Sequence, residues 1–103
     1  MNVTISKNTK DNRAVFYFAN LGADVMRCAL AAESNDAKEY QSSLDRAYST
    51  LRHIEKENRP EAYEEGLLLL RGLEYARASR TLPAFREGLN AIIEPFAARV
   101  VLT

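Results

Sequence analysis

Three short polar interruptions divide this chain into pieces of helical length. Asp36-Ala37-Lys38-Glu39 has the form of a capping box, with Asp36 as N-cap and Glu39 placed to reach back to it. Asn58-Arg59-Pro60-Glu61 repeats that logic, because a proline in the first turn lacks only an N–H that the helix does not use. Thr81-Leu82-Pro83 sets a cap and a proline in the same relative positions. The first helix is expected to start near Asp11 or Asn12. Together these signals predict helices over 12–33, 37–57, 59–79 and 82–99.

The apolar spacing agrees. In the second segment Tyr40, Leu44, Ala47, Tyr48, Leu51 and Ile54 recur three and four residues apart. Lys38, Ser42, Asp45, Arg46, Ser49, His53 and Lys56 occupy the opposite face. The third segment sets Ala62, Tyr63, Gly66, Leu69, Leu70, Leu73 and Ala76 on one side. Leu68 and Tyr75, seven apart, fall outside that stripe and suggest a second contact. The fourth aligns Phe85, Leu89, Ile92, Ile93, Phe96 and Val100.

The first segment differs. Val15, Phe16, Phe18, Leu21, Val25, Met26, Ala29 and Leu30 wrap most of its circumference, leaving Arg13, Asn20, Asp24 and Arg27 as a narrow polar strip. A helix this apolar must be covered on several sides. With short connections between long helices, the expected architecture is all-α: a four-helix antiparallel up-down bundle, helix one central or at a dimer interface. The chain reads as a single helical domain over 1–103, with 1–10 a flexible or extended arm. Val3-Thr4-Ile5 and Val100-Val101-Leu102 are candidates for short extended segments. All four glycines fall inside helices, where they allow close approach or mark kinks, and Pro95 is expected to kink or end the last helix.

Composition narrows the chemistry. The 103 residues carry 14 Lys+Arg against 14 Asp+Glu. That balance lacks the net basic field of a general nucleic-acid binder, leaving only a local patch as a route to phosphates. One Cys and one His exclude an internal disulfide and any site needing two of either. No Glu stands three residues before His53, so no Glu-x-x-His di-iron signature exists; no metal and no cofactor is expected. Glu61, Glu64 and Glu65 read as complements to a helix N-terminus rather than cation ligands. Cys28, beside the apolar arc, reads as a buried structural thiol. No glycine lies in a loop, which removes Walker and Rossmann phosphate sites. Asn20, Asp24 and Arg27 interrupt the most apolar stretch, Ala14 to Leu30. The expectation is therefore a soluble, cytoplasmic protein with no membrane partner.

Two polar constellations remain. Arg46 and His53, seven apart, project from one helix face about two turns from each other. This spacing resembles the Arg-x(4–6)-His pattern of HEPN-superfamily helical bundles, although Ala47 stands where a polar residue often follows that Arg. The resemblance implies an RNA-binding or RNA-cleaving bundle, with His53 in proton transfer or phosphate contact and Arg46 clamping phosphate. Arg77, Arg80 and Arg86 surround the last turn, where the first turn of the fourth segment has no acid, so an anion site is physically reasonable there. Lys7, Lys10 and Arg13 form a small basic arm without interleaved aromatics and read as a tail.

The leading expectation is a small non-catalytic interaction protein. It would form a homodimer, or bind another protein, through apolar surface on helices one and three. Phe16, Tyr17, Phe18, Leu21, Met26, Leu68 and Tyr75 are the candidate interface residues.

Overall fold

The structure, a computed structural model, describes the backbone of residues 2–102 and the side chains of residues 13 and 15–92. It is all-helical: α1 spans Asn2–Glu33, α2 Ala37–Lys56, α3 Pro60–Ser79 and α4 Leu82–Leu102. Three of the four expected starts fall within one residue of these bounds. The first does not. α1 begins at Asn2, so residues 2–10 are helix rather than an extended arm. No proline or glycine interrupts the chain before Gly22, and lengthening an existing helix costs far less than nucleating one. At the other end α4 does not stop at Pro95 but continues to Leu102. A proline removes one hydrogen bond from the ladder and leaves the bonds on either side of it available. Both suspected extended segments are thus helical. The side chains of Lys7, Lys10, Ile93, Phe96 and Val100 lie outside the described residues.

The connections follow from backbone chemistry at three residues with left-handed φ: Asn35 at 57°, Asn58 at 59° and Arg80 at 61°. At the end of α1, Asp36 N–H donates to the Ala31 carbonyl at 2.8 Å and Asn35 N–H to Ala32 at 3.3 Å. This is a Schellman closure with Asn35 in place of the usual glycine. Asp36 then serves α2, accepting from Glu39 N–H at 3.0 Å. The expected reciprocal half of the capping box does not form. Asp36 N–H is already committed to Ala31, and Glu39 turns instead to the Ser43 hydroxyl at 3.0 Å. Asn58 likewise closes α2 rather than capping α3, whose N-cap is Arg59, with Pro60 just inside and the Arg59 side chain bonded to Glu61 at 3.2 Å rather than to the helix end. After α3, Thr81 N–H donates to Ala76 at 2.9 Å and the Ser79 and Thr81 hydroxyls bond at 2.8 Å.

α1 packs against each of the other three helices, most extensively against α2. The core joins Leu21, Val25, Cys28 and Ala29 of α1 to Ala47, Leu51 and Ile54 of α2, Leu70 and Leu73 of α3 and Leu89 of α4. Gly66 is what lets α3 come close. A Cβ there would stand 2.7 Å from Leu21 Cδ2 and 2.8 Å from Leu51 Cδ1. Gly88, by contrast, faces open space, so close approach explains one glycine and not the other.

Most of the described part of α1 is covered within the chain, as its place against all three other helices requires. Among its described apolar side chains only Phe16 (50% exposed) and Leu30 (47%) remain open. Three helices suffice because the arcs they cover adjoin, so Phe18 and Leu21 end as core at 3% and 0% exposure. Val15–Glu33 also has the length and composition of a membrane-crossing helix, with mean hydropathy 1.2. In this fold that stretch supplies the central core.

Candidate functional site

Three regions bring candidate residues together: a polar seam between α1 and α2, a cavity beneath two turns, and an apolar groove beside α3.

The seam is built around Asp24, which the polar strip of α1 suggested was exposed and which is instead only 6% exposed. A buried carboxylate needs partners. Arg27, one turn on, donates from Nη1 to Asp24 Oδ1 at 2.7 Å, and Arg46 of α2 donates from Nε to the same oxygen at 3.3 Å. Arg46 also donates to Ser42 Oγ and Ser43 Oγ, each at 3.0 Å, and lies 3.6 Å from Glu39 Oε1. Arg46, half-exposed though it is, therefore ties the two helices together. Only its partner 22 positions earlier reveals this, which no helical periodicity within α2 could signal.

Further along the seam His53 stacks on Tyr17, with ring centroids 5.4 Å apart and planes at 11°. Arg46 and His53 both line a groove of about 380 Å³ with Asn20, Arg27, Ser49 and Thr50. The pair is thus brought to one concavity. Cys28 lies behind it, fully buried, its thiol directed at the Tyr40 carbonyl 3.7 Å away. Burial first, then the Asp24 charge, push this thiol up to about 11, with Arg46 pulling the other way. At neutral pH Cys28 is a protonated core residue and no nucleophile.

The second region lies where the α1–α2 and α3–α4 turns meet. A cavity of about 450 Å³ is lined there by Glu33, Asp36, Tyr40, Arg77, Arg80 and Leu82, among others. Of the three arginines expected to frame an anion, Arg77 and Arg80 line it and Arg86 does not. Arg86 is held by Glu33 through two parallel bonds, Nη2 to Oε1 at 3.0 Å and Nε to Oε2. Arg77 lies over the Tyr40 ring, 4.3 Å from its centroid. Burial raises the Tyr40 phenol while Arg77 opposes the shift. Two arginines facing Glu33 and Asp36 offer an anion little net field.

The third region is apolar. Phe18, Leu68, Leu69 and Ile92, with Glu65 at the edge, line a groove of about 490 Å³ beside α3. Leu68 is 63% exposed and Ile92 44%, and Tyr75, two turns on from Leu68, is 74% exposed.

The candidate interface residues therefore separate. Leu68 and Tyr75 share the open face of α3. Phe18 forms the floor of the groove. Leu21 is enclosed and Met26 is packed against the core. Phe16 and Tyr17, in edge contact at 6.3 Å, belong elsewhere on α1, since residues 16 and 18 point about 160° apart on a helix. Ile92, on the apolar stripe of the fourth segment, is the groove residue that was not among the interface candidates, and it stands partly open. No cluster of three or more metal-ligating side chains occurs among the described residues. No protein-family model matches the chain, and neither a curated protein nor a solved structure does.

Proposed function

We propose that this chain is a small, non-catalytic, cytoplasmic interaction protein. It forms an antiparallel up-down bundle of four helices that self-associates through apolar surface contributed by α1 and α3. One observation carries the reading: the groove of Phe18, Leu68, Leu69 and Ile92 is continuous with a helix face on which a leucine and a tyrosine stand mostly in water. Contiguous exposed apolar surface of this kind is unusual on monomers and marks association sites. The fold offers no competing use for Leu68 or Tyr75, since both core-facing sides of α3 are already occupied by Leu70, Leu73 and Ala76. Sedimentation equilibrium at micromolar concentration tests this. A dimer that Leu68→Glu converts to monomer supports the reading; a wild-type monomer throughout contradicts it.

A second reading has its own observation. Arg46 and His53 line one groove with Arg27, Ser49 and Thr50, the juxtaposition that a HEPN-like RNA-binding or RNA-cleaving bundle requires. Guanidinium and imidazole groups can clamp a phosphodiester and move its protons. Structured RNA incubated with wild type, Arg46→Ala and His53→Ala decides it. Cleavage or binding lost in both variants supports the reading, and no activity in the wild type removes it.

A further inference from the structure

The open face of α3 carries charges as well as apolar groups, and their order is informative. Glu64, Leu68 and Arg71 are all exposed. At about 100° per residue, Glu64 and Arg71 lie within roughly 20° of one another along one edge, on either side of Leu68. That edge faces α2, because Glu74 on the same side accepts from Tyr48 Oη of α2 at 3.5 Å. The opposite edge faces α4, since a Cβ on Gly72 would stand 3.1 Å from Phe85. Neither Glu64 nor Arg71 forms an ion pair among the described residues.

From this order we infer that the partner is a second copy of the chain, docked α3 against α3 in antiparallel fashion about a two-fold axis beside Leu68. The inference rests on the self-association proposed above and adds its geometry. Glu64 lies about 6 Å before Leu68 along the helix axis and Arg71 about 4.5 Å after it. An antiparallel two-fold keeps each edge on its own side and reverses the axial order. Leu68 then meets Leu68 of the second copy. Glu64 of each copy comes opposite Arg71 of the other, within about 1.5 Å of axial register, so the charge pair forms twice. The same operation brings Tyr75 over Glu61 of the second copy, whose carboxylate can accept from the phenol. A parallel two-fold exchanges the edges instead, placing the Glu64 and Arg71 of the two copies on opposite sides of the seam, so neither charge pair forms. The α4 side, with the groove and Ile92, supplies the remaining apolar contact; a stable interface needs roughly 1,000 Å² or more in total, beyond what one helix stripe provides.

The test is a charge-exchange series read by sedimentation equilibrium of the full chain: wild type, Glu64→Arg, Arg71→Glu and the double variant, with Leu68→Glu alongside. All positions are exposed, and far-UV circular dichroism establishes that each variant keeps its helices. Either single exchange turns two attractive pairs into two repulsive ones and is expected to raise Kd about tenfold, with the double variant returning to within about threefold of wild type. If Leu68→Glu breaks the dimer but neither single exchange changes Kd, the antiparallel register is wrong while self-association stands. A wild-type monomer at every concentration overturns the reading on which the register rests.

Discussion

The α1–α2 seam and the outer face of α3 handle charge in opposite ways. In the seam, Asp24 is withdrawn from water and answered within the chain by Arg27 and Arg46, and Arg46 donates further to Ser42 and Ser43 and lies near Glu39. On α3, Glu64 and Arg71 flank an exposed leucine and stand apart, on one helix edge, where they do not reach each other. A satisfied polar cluster holds a helix pair in one arrangement. An ordered but unanswered set of charges around exposed apolar groups is the pattern expected of a surface completed by a partner. On the proposed reading, the seam bears chiefly on stability and the α3 face chiefly on association.

Matched substitutions can break that division. Leu21→Ala removes a fully buried side chain that packs where Gly66 admits α3, and is expected to cost about 3 kcal/mol in chemical denaturation. Leu68→Ala, the same chemical change on the outer face, is expected to stay within about 0.5 kcal/mol below the concentration at which the protein associates. Comparable losses at the two positions would abolish the distinction.

Asp24→Ala is expected to cost about 2 kcal/mol by urea unfolding, because the α1–α2 tie is lost while Arg46 stays half-exposed and can rehydrate. A neutral outcome would show that the network positions nothing.

The thiol behind the seam gives a pH signature. Cys28 has a higher pKa folded, about 11, than its ordinary value of 9.0, so the folded state holds the proton more tightly. Its contribution is complete below pH 9, and stability falls as pH rises from there toward 11. The slope is at most about 1.4 kcal/mol per pH unit. Tyr40, raised by burial, adds a loss of the same sign. Urea midpoints for wild type and Cys28→Ala across this range should converge as pH increases; parallel curves would mean that the thiol is not desolvated. The smallest effect is expected at the open end of the seam, where His53→Ala removes the ring stacked on Tyr17 and should cost about 0.5–1 kcal/mol.

The helices were legible because their signals are local. Asp36, Pro60 and Pro83 act within a turn, and apolar spacing needs only one segment. Leu68 and Tyr75 were also legible as outliers from the stripe of α3. What escaped depends on distant partners. Asp24 looks like a residue of a polar strip until Arg46 of α2 is set beside it. Phe18 and Leu21 look like spare surface until three helices are seen to cover adjoining arcs. Asn58 reads as a cap for the helix that follows, but its left-handed φ of 59° commits it to closing the helix before. Of the anion triad, Arg86 is taken by Glu33, a partner 53 positions away.

Sedimentation velocity of the wild type and Leu68→Glu across the micromolar range tests most directly whether the outer face of α3 is the site of association. A concentration-dependent dimer in the wild type, reduced to monomer by that one exposed substitution with helix content unchanged, is the expected result. A wild type that sediments as a monomer throughout, or a dimer indifferent to Leu68→Glu, would contradict it.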